Sequence, residues 1–169
     1  FVLLATTVNP LAAVLSLSGL IGYVFVYTIW LKRRTPQNIV IGGAAGAVPP
    51  LVAWAATTGH LTGSALYLFA IVFYWTPPHF WALSLLMKDE YAKAGVPMMP
   101  VVRGDEETRF QIVLYTFLLV AVTILPFAGG LFGVVYFIAA MVLGAGFIAL
   151  AVKLFRSRER RPAIRLYLS

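Results

Sequence analysis

Five apolar runs of about twenty residues follow one another along this chain, and every basic residue falls in alternate gaps between them. A helix of about 20 residues crosses the hydrocarbon core of a bilayer. Its backbone polar groups must be satisfied within the span itself, which in practice means helix or closed barrel. The expected fold is therefore all-α, a polytopic transmembrane helix bundle. The runs cover residues 11–31, 38–57, 64–87, 110–127 and 131–154, giving about five full spans. Residues 1–8 are too short to cross and read as the tail of a helix, while "PAIRLYLS" reads as the beginning of one. The expectation is one membrane domain, 1–169, cut at its N-terminal part and in its last helix. Only 11% of the residues are charged, against about 25% in a soluble domain. No soluble domain, low-complexity linker or signal-peptide pattern interrupts the runs.

Lysine and arginine accumulate in cytoplasmic loops of membrane proteins. One set of alternate gaps holds Lys32, Arg33 and Arg34, then Lys88, Lys93, Arg103 and Arg109, then Lys153, Arg156, Arg158, Arg160, Arg161 and Arg165. These are all 13 basic residues, and the gaps around Asn9, His60 and Gly129 hold none. The asymmetry supports the span count and puts the basic gaps in the cytoplasm. It also explains the net charge of +7 by topology, so no nucleic acid partner is implied and the lipid bilayer is. The six acidic residues, Asp89, Glu90, Asp105, Glu106, Glu107 and Glu159, share that side. Any chemistry therefore opens to the cytoplasm. With no cysteine in the chain, disulfides, thiolate metal sites and a cysteine nucleophile are excluded.

Four stretches carry more than a lipid-facing helix requires. In "YTIWLKRRTPQN", Lys32, Arg33 and Arg34 close a span. Three cations there serve either as a positive-inside anchor or as a clamp on phosphate oxygens. Thr35, Gln37 and Asn38 add hydrogen-bonding groups just before the next helix. In "IGGAAGAVPPLVAW", Gly42 and Gly46 form a GxxxG pair that lets helices approach closely, and Pro49-Pro50 should bend the helix. In "YWTPPHFWAL", Pro77-Pro78 should break or kink the third span. His79 follows among Tyr74, Trp75, Phe80 and Trp81. An ionisable residue inside a span marks a function or a bond to a neighbouring helix. Together these residues describe a flat, aromatic-walled cavity with one nitrogen group in it. In "KDEYAKAGVPMMPVVRGDEETR", Asp89 and Glu90 sit at a helix end beside Lys88 and Lys93. Adjacent carboxylates suit Mg²⁺, which keeps several waters and bridges carboxylates to phosphates. The apolar, proline-stiffened residues 96–100 should pack as a lid. Asp105, Glu106 and Glu107 should open the next helix, where acids favour the dipole.

The segments "YTIWLKRRTPQNIVIGGAAGAVPPLVAW", "WTPPHFWAL" and "DEYAKAGVPMMPVV" strongly resemble the UbiA-type intramembrane prenyltransferases, in the branch that acts on heme. The resemblance runs through the whole chain in order. It implies a nine-helix bundle of which this chain is roughly the later two thirds. It implies transfer of a farnesyl group from farnesyl diphosphate to the vinyl group of heme B, giving heme O for terminal oxidases. Heme B is then a substrate and Mg²⁺ the cofactor, assisting departure of diphosphate. Carried over residue by residue, it makes Lys32, Arg33, Arg34, Thr35, Gln37 and Asn38 the diphosphate-binding set and Asp89 and Glu90 metal ligands. Tyr27, Lys32 and Tyr91 become the catalytic group, the tyrosines stabilising an allylic cation. His79, Trp75, Phe80 and Trp81 become the heme-binding group, with axial ligation and proton removal both open to His79. The location implied is the bacterial inner membrane, with heme A synthase or terminal-oxidase assembly as further partners. The superfamily's first acidic motif lies N-terminal to this sequence, so the chain alone is expected to be inactive. Many relatives carry aspartate where Glu90 stands. The alternatives are a prenyltransferase for a quinone precursor and a membrane transporter, which broken helices would also suit.

Overall fold

A computed structural model of the chain describes residues 1–157 and 160–168, the side chains of residues 160 and 161 excepted. Arg158 and Glu159, and the side chains of Arg160 and Arg161, all used in the charge reading, lie outside the described residues. Within these limits the structure is all-helical. The helices are α1 (Val2–Thr7), α2 (Pro10–Ile21), a π-helical segment (Gly22–Leu31), α3 (Asn38–Gly46), α4 (Val48–Thr58), α5 (Gly63–Leu86), α6 (Lys88–Lys93), α7 (Met99–Val102), α8 (Gly104–Ala128), α9 (Val134–Ser157) and α10 (Arg160–Leu168).

Local chemistry sets the ends of these elements. Asn9 caps α2: its Oδ1 accepts from the Ala12 amide at 2.8 Å, and Pro10 follows at the first helical position, where a missing N–H costs nothing. The same side chain donates through Nδ2 to the Ala55 carbonyl at 2.8 Å, tying the start of α2 to the end of α4. The α8–α9 turn lies at this end of the bundle too. A Cβ on Gly129 would stand 2.9 Å from the ring of Tyr67, near the start of α5, and Gly130 turns at φ +72°. Both glycines are required there.

Helix α5 is the hub, packed against α3 and α4 on one side and α8 and α10 on the other. Helix α9 covers α8, and α10 lies between α9 and α5. The core is built around α5 and α8 from Trp81, Ala82, Ile112 and Leu119, joined by Phe147, Ala151 and Leu154 of α9 and Leu166 of α10. On α9, Val135, Ile138 and Val142 are exposed at spacings of three and four. That is one helical stripe, and in a membrane it faces lipid.

Four helical stretches are long and apolar enough to cross a membrane: Pro10–Leu31, Asn38–Thr58, Gly104–Ala128 and Val134–Ser157. The fifth expected span, α5, has the length at 24 residues but not the apolarity, because Tyr74, Trp75, Thr76, Pro77, Pro78 and His79 dilute it. Its place at the hub removes the need: other helices, rather than lipid, surround those groups. The chain is thus a multi-pass integral membrane protein.

The local expectations fare differently. Pro77 and Pro78 do not break α5, which runs helical through both, and both are fully buried. The Pro49-Pro50 pair does accompany a break, since the helix stops at Gly46 and restarts at Val48 with proline in its first turn. Residues 88–108, which lie in the gap between two expected spans, fold into α6, α7 and the start of α8. The lid residues Val96, Met98 and Met99 are buried there, so the segment packs down as expected.

Candidate functional site

The π-helical segment leads into the cationic turn. Its backbone pairs five residues apart, with the Lys32 amide donating to the Tyr27 carbonyl at 2.8 Å, and the Thr28 side-chain hydroxyl donates across the same spacing to the Tyr23 carbonyl at 2.9 Å. Wide turns of this kind are rare and occur often at functional sites. The Tyr23 and Tyr27 rings lie 5.4 Å apart. Tyr27 also lies flat on Gly42, where an added Cβ would overlap its ring, whereas Gly46 has open space beside it. The close approach expected of the GxxxG pair is therefore made by Gly42 and by Gly43, which meets Thr76 of α5.

After Leu31 the chain turns through Lys32, Arg33 and Arg34. Arg33 and Arg34 are exposed and Lys32 is half-buried. None of the three makes an ion pair among the described residues. Thr35 accepts from the Gln37 amide at 3.2 Å, a local turn of the kind threonine favours. Asn38 is fully buried and donates through Nδ2 to the Lys32 carbonyl at 3.2 Å, while its Oδ1 has no partner. Asn38 thus fastens the turn from beneath, and the cations project from it.

The carboxylates stand on α6. Asp89 and Glu90 occupy its first turn and are exposed, and neither is held in an ion pair among the described residues. The preceding Lys88 reaches Asp105 of α8 at 2.7 Å, with Arg109 4.0 Å from the same carboxylate. This link fixes the root of α6 to α8. Tyr91, next on α6, lies within electrostatic range of Tyr27. Helix α6 itself packs on α5 and α7 rather than on the π-helical segment. Beside Tyr27 opens an apolar cleft of about 340 Å³, lined by Gly19, Gly22, Ile41, Ala45 and Phe69 among others.

Among the described residues no three His, Cys, Asp or Glu side chains gather into a metal site. Asp89 and Glu90 are nevertheless the donors a hard cation takes: two free carboxylates, with the remaining positions left to water and phosphate oxygens. The residues fit magnesium.

The aromatic group on α5 divides in two. Trp75 and His79 are one turn apart and stack at 4.2 Å with their planes 26° apart, and Phe80 meets His79 edge-on at 5.3 Å. Trp81 points to the other side of the helix. It is fully buried and meets Tyr115 of α8 edge-on at 5.2 Å. Its surroundings are those of a core residue. A ring absent from the sequence expectation joins the His79 group: Tyr167 of α10, 4.7 Å away and inclined by 30°. His79 Nδ1 is buried and has no hydrogen-bond partner. No local pattern links residues so far apart in the chain, and only the docking of α10 on α5 reveals the contact.

Comparison with known proteins bears on this arrangement. The model of the UbiA prenyltransferase family matches residues 1–169. A protein of Teredinibacter turnerae named protoheme IX farnesyltransferase is 54% identical over 165 residues, covering 98% of this chain and 53% of the relative. A protein of the same name from Rhodopseudomonas palustris is 56% identical over 164 residues, covering 97% of the chain and 52% of the relative. One from a Roseiflexus species is 57% identical over 167 residues, covering 99% and 31%. The chain thus spans about half the length, or less, of these curated relatives. No solved structure matches it.

Proposed function

The chain belongs to the UbiA prenyltransferase family, and from that premise we propose that it carries out the transfer of a farnesyl group from farnesyl diphosphate to the vinyl group of heme B, giving heme O. The observation that carries this reading is an identity of 53–57% over nearly the whole chain to proteins named protoheme IX farnesyltransferase. Family membership sets the transporter reading aside.

The geometry supports the chemistry. Breaking the bond between an allylic carbon and diphosphate places negative charge on the leaving oxygens, and that charge must be met where it develops. Lys32, Arg33 and Arg34, without an ion pair among the described residues, stand on a turn that Asn38 holds from below, ready to take phosphate oxygens. Thr35 and Gln37 border the same turn. Asp89 and Glu90 would hold magnesium, which when bound supplies further positive charge to the diphosphate. Lys88, held by Asp105, keeps those carboxylates at the mouth of the site.

Tyr27 and Tyr91 present π faces and hydroxyl oxygens where the carbon fragment becomes cationic, and a cation over an aromatic face is stabilised. The cleft beside Tyr27 suits an uncharged prenyl chain. The buried lid residues Val96, Met98 and Met99 exclude water, which would otherwise capture the cation. His79, with Trp75 and Phe80, offers a flat aromatic wall with one nitrogen, suited to a porphyrin. The site faces the cytoplasm of a bacterial inner membrane on the positive-inside asymmetry, and its product passes to enzymes that build terminal-oxidase heme.

The test uses the chain completed to the length of its relatives, assayed in membranes with heme B, farnesyl diphosphate and Mg²⁺. Heme O should form, Asp89→Ala should slow it by roughly 10²–10³-fold with no rescue by added Mg²⁺, and His79→Ala should weaken heme binding. A folded protein that retains heme B and makes no heme O would sink the proposal.

A further inference from the structure

His79 is held in an unusual way. A histidine in a packed bundle commonly has its ring fixed by hydrogen bonds at its nitrogens. Here Nδ1 is buried without a partner, and ring contacts fix the plane. Trp75 comes with α5 itself, one helical turn before His79, and Phe80 follows His79 on the same helix and meets it edge-on. The third ring, Tyr167, is delivered by another helix, 4.7 Å away and within 30° of parallel. Helix α10 is firmly seated there, since Ala163 and Leu166 are buried. The imidazole is thus a slab between Trp75 on one side and Tyr167 on the other.

We propose that Tyr167 is a positioning residue for His79: its ring closes the slot opposite Trp75 and fixes the plane in which the imidazole meets the porphyrin. The inference rests on the heme reading above. Without Tyr167 the imidazole keeps its chemistry but loses one wall, and rotation about its side-chain torsions is restrained from one side only. The loss falls on heme and not on farnesyl diphosphate, whose charged residues stand on the π-helical turn and on α6.

The experiment uses the completed chain in four forms: wild type, Tyr167→Leu, His79→Ala and the double variant, with Tyr167→Phe as the conservative control. Heme B affinity is read by optical titration, and the KM for farnesyl diphosphate is read beside it. Tyr167→Leu should weaken heme B binding by up to roughly tenfold, the scale of one aromatic pair, and leave the KM for farnesyl diphosphate unchanged. Tyr167→Phe, which keeps the ring, should stay within about twofold of wild type. In the His79→Ala background Tyr167→Leu should have no further effect, as required of a residue acting through another. Full additivity of the two substitutions, or an equal shift in both substrates, would overturn the proposal. Wild type that binds no heme B refutes the heme reading instead. The coupling is then read from the melting temperatures of the same four proteins, where additivity sinks the inference independently. Should Tyr167→Leu fail to fold, Tyr167→Met carries the same cycle.

Discussion

The charged rim and the aromatic slot on α5 are built by opposite means. At the rim, Arg33, Arg34, Asp89 and Glu90 are exposed and unpaired among the described residues. The fold positions their backbones, through Asn38 under one turn and Lys88–Asp105 at the root of α6, and leaves the side chains free. In the slot, Trp75, His79 and Tyr167 are placed by ring-to-ring packing, and the hub helix that carries the first two is braced on both sides. The difference suits the two ligands proposed above. A diphosphate is bound by charge, which tolerates adjustable side chains. A flat macrocycle is bound by shape, which needs rigid walls.

The sharpest way to break the comparison is to cut the core behind the slot. Trp81→Ala empties a fully buried site against Tyr115 and should cost about 3–5 kcal/mol of stability, visible as a lower melting temperature in detergent. If Trp81 belongs to the core and not to the slot, heme affinity per folded molecule stays as it was. At the rim the opposite separation is expected. Asp89→Ala should lower turnover by roughly 10²–10³-fold, the scale of one lost charge-stabilising group, with no change in melting temperature. Between the two lies Gly42→Ala, whose Cβ would overlap the Tyr27 ring. It should cost about 1–3 kcal/mol as overpacking and reduce turnover as well, because Tyr27 must move. The smallest effect is expected for Asp105→Asn. The Lys88–Asp105 pair is about 40% exposed at each side chain and contributes at most about 1 kcal/mol. Its loss should appear as a higher Mg²⁺ requirement rather than as instability, checked by titrating the metal in the activity assay.

Much of this was legible in the sequence, because lipid imposes simple rules. Apolar length located four of the spans, and two gaps without basic residues do share one end of the bundle, since Asn9 in the first pairs with Ala55 beside the second. The proline pairs show where the rules stop. Pro49-Pro50 and Pro77-Pro78 look alike in sequence. The first falls where a helix restarts and its missing donors are harmless. The second lies inside the hub, where α3, α8 and α10 hold the helix continuous against the lost hydrogen bonds. Burial by distant segments decides that, and no window of sequence contains it. Trp81 and Phe80 are adjacent in the motif but face different neighbours, and Tyr167 joins His79 only through the fold. The short helix α6 was hidden by polar composition, which reads as loop whether or not the backbone is helical, and α7 by its shortness, at four residues with a proline in its first turn.

The π-helical stretch of Gly22–Leu31 has a further consequence. Its hydrogen bonds skip one residue more than those of an α-helix, so each turn stores extra chain. This slack lies between two fixed anchors, Asn9 at one end of the bundle and Asn38 at the other. Removing one residue from the stretch would convert a wide turn to an ordinary one while both anchors stay in place. The segment is therefore a length reserve: sequence drift by deletion can be absorbed inside it without moving the cations that follow.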